Sequence, residues 1–276
     1  MTRPADVLQQ MLRSDSAKPR ITTYDDTEGP TRGERIELSA RVLGNWVNKA
    51  ANVLQDEFDI APGSVVRLDL PPHWRTAYWA LATWSVGGTV SLGLDSAEEA
   101  ADLLVTTDRE AAAAAATAGS PAVLVTLAGL ARSASTPVPQ GVMDEAKELS
   151  THGDQFAAWE EPSDDDTALV AGGERTAYAD LVAPAGTAER RHLTMTDTTD
   201  FLRACLALWA ADGSVVLSRG EAPARRRRTS WRRGPAPRVR CRAQSSEVSR
   251  SASRWPSRSA WPRRRSRRAS PWTAPP

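Results

Sequence analysis

From residue 34 to residue 220 the chain alternates short apolar runs of strand length with apolar-striped stretches of helix length, and few folds accept that alternation. Arg35-Ile36-Glu37-Leu38 reads as a short strand, and Ser39 stands where a helix N-cap belongs. Val42, Leu43, Trp46, Val47, Ala50, Val53 and Leu54 then recur at helical spacing, which predicts one apolar helix face. A turn through Pro62-Gly63 leads to a strand at Val65–Leu70. Pro71 and Pro72 are expected to open a second helix, rich in aromatics at Trp74, Tyr78, Trp79 and Trp84 and ended by Gly87-Gly88. The pattern goes on with strands at Thr89–Leu92, Leu103–Thr107, Ala122–Leu127, Thr167–Ala171 and Ser214–Ser218. Helices are expected at 97–101, 109–118 and 200–211, the last capped by Asp197 or Thr198 and ended by Gly213. Strands spaced by helices of this length predict βαβ units: a layered α/β domain, its sheet mainly parallel, with helices on both faces.

Charge divides the chain. The whole carries a formal +1, yet residues 221–276 hold 17 Arg, no Lys and two acids, leaving 18 basic against 32 acidic residues before them. The sequence therefore predicts an N-terminal extension over 1–30, an incomplete α/β domain over 31–220, and an Arg/Pro/Ser/Trp-rich disordered tail over 221–276. Two readings of the tail compete. It is a basic arm whose arginines neutralise phosphates, or it is the wrong frame of a GC-rich gene. The abrupt break after a well-formed strand, the absence of lysine and the four tryptophans favour the frameshift. Nucleic acid is a partner only if the tail is genuine. Cys205 and Cys241 suit neither a metal site nor a disulfide framework. No signal-peptide core and no run of about 18 apolar residues is present, so a cytoplasmic protein without membrane contact is expected.

Little else in the chain suggests chemistry. His73, His152 and His192 are scattered, and no nucleophile accompanies them. Asp164-Asp165-Asp166 reads as a solvated linker rather than a cation site. Trp46, Trp74, Trp79 and Trp84 read as core. Gly172 and Gly173, with Thr176, are the weak candidates for a nucleotide-binding turn. No catalytic residue and no metal ligand set is assigned.

Residues 34–92 resemble the opening of the adenylate-forming enzymes, the acyl-CoA synthetases and their relatives. The resemblance rests on an ordered set: a Ser-capped helix with Asn48 and Asn52, Pro62-Gly63-Ser64 at a turn, Leu70-Pro71 at a strand end, and Gly87-Gly88. LRACLALWAADGSVVLSRG at 202–220 is similar to a later segment of that family, and the whole resembles a short actinobacterial family related to the synthetases. The likeness implies the synthetase fold and, if activity survives, acid activation through an acyl-adenylate, with ATP or AMP and CoA as cofactors and a small acyl or nucleotide ligand. The family's phosphate loop, TSGTTGxPKG, falls at DDDTALVAGGERTAYADLV, where Gly172, Gly173 and Thr176 remain but lysine is missing; Lys147 is the last in the chain. The expected function is thus a synthetase-like binding or pseudoenzyme module needing no cofactor. The alternatives are a fragment or subunit of an acyl-activating enzyme, and an Arg-rich nucleic-acid binder.

Overall fold

Among the residues it describes, 2–93, 101–183 and 186–221, the computed structural model has eleven strands and seven α-helices. In chain order they are α1 (Pro4–Asp15), β1 (Pro19–Asp26), β2 (Glu34–Ser39), α2 (Ala40–Asp56), β3 (Val65–Asp69), α3 (Trp74–Ser85), β4 (Thr89–Leu92), β5 (Leu103–Thr106) and α4 (Arg109–Thr117). There follow β6 (Ala122–Leu124), β7 (Val142–Asp144), α5 (Glu145–Glu148), β8 (Thr167–Ala171), β9 (Glu174–Ala177), α6 (Tyr178–Leu181), β10 (Arg190–Leu193), α7 (Thr198–Ala210) and β11 (Ser214–Gly220). The tail from 222 onward and most of the helix expected at 97–101 lie outside the described residues.

The larger sheet runs β7-β6-β5-β3-β4-β8-β9, parallel except for the closing β8/β9 pair. A smaller sheet runs β10-β11-β1-β2, with only the β1/β2 pair antiparallel. The expected layered, mainly parallel α/β fold is what forms, with helices flanking its strands, although the parallel strands are shared between two sheets. Within the larger sheet, β4-β3-β5-β6-β7 follows the doubly wound order 2-1-3-4-5, so the strand order reverses between β3 and β5.

Local chemistry explains the helices. The Ser39 hydroxyl accepts from the Val42 amide, Asp108 from Glu110 and Ala111, and Asp197 from Asp200, each satisfying donors that a first turn leaves orphaned. α2 buries Leu43, Val47, Ala50, Val53 and Leu54 as its spacing predicts, while Val42 faces solvent. α3 starts later than expected. Pro71 and Pro72 precede it, and the cap is His73, whose Nδ1 accepts from the Arg75 amide at 3.2 Å. The helix is buried along nearly its whole length, so Trp74, Trp79 and Trp84 are core; the Trp84 indole donates to the Ala168 carbonyl. Trp46 is half-buried and stacks on Tyr78.

One expectation is overturned. Residues 1–30 are not an extension. β1 is an inner strand of the smaller sheet, and α1 buries Val7, Leu8 and Met11. The polar look of PRITTYDD misleads because Arg20 finds most of its partners far along the chain. Arg20, fully buried, donates to the Asp212 and Gly213 carbonyls, to Met11 and to the Asp212 carboxylate at 2.6 Å. These bonds hold Asp212 in a left-handed turn at φ 60 between α7 and β11. Burial opposes charge on Asp212, but hydrogen bonds from Arg20, Lys18 and Ser14 keep its carboxyl below the usual range.

Candidate functional site

The carboxyl ends of the parallel strands form the edge where open α/β sheets bind ligands, and the sequence candidates lie at one end of it. β8 finishes at Ala171, and β9 returns antiparallel with Ala171 facing Glu174. Gly172 and Gly173 alone close the hairpin, at φ 56 and 79. Positive φ at both central residues is what a two-residue turn matched to strand twist demands, which accounts for the glycine pair. A Cβ built at either glycine would meet nothing within 4 Å, so the tip stands clear of the rest of the domain. Thr176 lies within β9 opposite Leu169, and its hydroxyl accepts from the Arg203 guanidinium at 3.3 Å. The structure thus keeps Gly172 and Gly173 together and turns Thr176 to a helix side chain instead.

Toward the other end of this edge lies a buried polar cluster that sequence reasoning missed. Arg75 of α3 pairs with Glu145, which follows β7, at 2.5 Å; its other terminal nitrogen donates to the Ala128 carbonyl at 3.0 Å. The Tyr78 hydroxyl donates to the same carboxylate oxygen, and the Arg75 guanidinium lies 4.5 Å from the centre of the Trp74 ring. Burial raises the Glu145 carboxyl above the usual range in spite of Arg75, and burial with Glu145 beside it pushes Tyr78 well up. An arginine inside WRTAYWALATW was the one visible signal; its partner, 70 residues away, had none.

At the head of α3, burial, with the guanidiniums of Arg219 and Arg75 nearby, holds His73 well below the usual imidazole range. The fold therefore refuses a proton that the unfolded chain accepts below about pH 6.5. The His73 contribution to stability is present above that pH and is lost as pH falls through it. Urea unfolding midpoints are expected to fall from pH 7 to pH 5, and His73→Asn, which keeps a capping acceptor, should flatten that slope. An unchanged slope in His73→Asn would assign the acid sensitivity elsewhere.

The remaining candidates are not brought together. His152 pairs with Glu57 at 3.1 Å, and His192 meets the Ser218 hydroxyl at 2.8 Å on the smaller sheet. Asp164 accepts from Arg3, and Asp166 from the Ser163 amide. Asn48 and Asn52 hold backbone instead of a ligand. Asn48 donates to the Asp154 carbonyl and Asn52 to those of Gly153 and Gln155; Gln55, further along the same face, both donates to Ala157 and accepts from the Trp159 amide. This polar stripe on α2 anchors an irregular segment that has no strand to pair with.

No protein-family model matches the chain. A Mycobacterium tuberculosis protein described as a TIGR03089 family protein is 38% identical over 233 residues, a match taking in 79% of this chain and 90% of that protein. The chain belongs to the TIGR03089 family. Solved structures place the fold of this family member among the adenylate-forming enzymes. An acetoacetyl-CoA synthetase from Streptomyces lividans superposes with a TM-score of 0.61 at 17% identity, covering 80% of this chain and 39% of that one. An acyl-CoA synthetase of Brucella canis gives 0.58 at 14%, covering 82% and 44%. The anthranilate CoA ligase AuaEII gives 0.56 at 12%, covering 79% and 44%. The TIGR03089 chain therefore has the synthetase N-terminal fold while spanning about two fifths of the synthetases' length. None of its described helices is long and apolar enough to cross a membrane.

Proposed function

We propose that this chain is a synthetase-fold module that forms no acyl-adenylate and acts by binding. The observation that carries the reading is the β8/β9 hairpin. A phosphate loop presents several consecutive amides to one concavity, with a lysine to meet the charge. Here two glycines close a tight turn in open solvent, and no lysine follows Lys147. The N-termini of α2, α3, α4 and α7, where an anion could otherwise sit, are closed by the side chains of Ser39, His73, Asp108 and Asp197.

Titration of the protein with ATP and magnesium tests this. The expected result is no saturable binding below about 1 mM; a micromolar constant would contradict it. The rival reading, a fragment or subunit of an acyl-activating enzyme, draws support from the 39% and 44% coverage of the synthetases. It is weakened by the relative from Mycobacterium tuberculosis, nine tenths of which this chain covers.

A further inference from the structure

We draw no further inference here: the strongest candidate, the surface patch of exposed Trp159 with Glu160, Glu161, Asp164 and Asp165 on the irregular segment that Gln55 of α2 anchors, is one aromatic ring among solvated carboxylates, and nothing in the structure shows what covers it.

Discussion

A chain lacking residues 1–30 is expected to yield no folded domain. The deletion removes β1, which pairs with β11 over six residues on one side and with β2 over six on the other, so the smaller sheet loses its inner strand. It also removes α1, whose Val7, Leu8 and Met11 are buried; each contributes roughly 1.5–3 kcal/mol, and together they approach the whole stability of an ordinary domain. The Trp209 indole would lose its acceptor, the Arg20 carbonyl at 3.0 Å, and Asp212 would lose the guanidinium that holds its turn. Circular dichroism and gel filtration of the shortened chain check this. A soluble monomer with a cooperative thermal transition would restore 1–30 to the status of an extension.

Glu145→Met is expected to cost about 3–5 kcal/mol, because it leaves the Arg75 guanidinium buried without its counter-ion and the Tyr78 hydroxyl without its acceptor. Both ionic side chains are nearly inaccessible, at 3% and 0%, so water cannot replace the lost partner. Replacing the pair together, Arg75→Met with Glu145→Met, should recover much of the loss, since apolar groups of similar size avoid the desolvation cost. Urea unfolding of the two single variants and the double variant gives the coupling directly. A Glu145→Met loss below about 1 kcal/mol would mean that the pair is solvated in solution.

How much of this was readable in the sequence differs by element, for physical reasons. β3, α2 and β8 announce themselves because a half-buried strand or helix repeats its apolar residues at a fixed period. β1 does not. Its buried Arg20 is held by Asp212, Gly213 and Met11, and no local period records a partner 192 residues away. The start of α3 was misplaced because Pro71-Pro72 is a permissive helix opening, whereas the cap is a histidine outside the usual Ser, Thr, Asp and Asn set. At the candidate site, the glycine pair was legible as a turn, and the structure adds that nothing lies beside it. Thr176 belonged to the same sequence segment, yet strand alternation and Arg203 took it elsewhere. The Arg75–Glu145 pair joins α3 to the end of β7, a meeting set by the sheet order alone.

ATP–pyrophosphate exchange by the purified chain, with a panel of carboxylic acids, tests the central claim most directly. Exchange requires that the α-phosphate be attacked and the pyrophosphate held, and the β8/β9 connection is a two-residue glycine turn. The account predicts no exchange above a no-protein control with any acid tested. Robust exchange that depends on the added acid would contradict it and make the chain an adenylating enzyme.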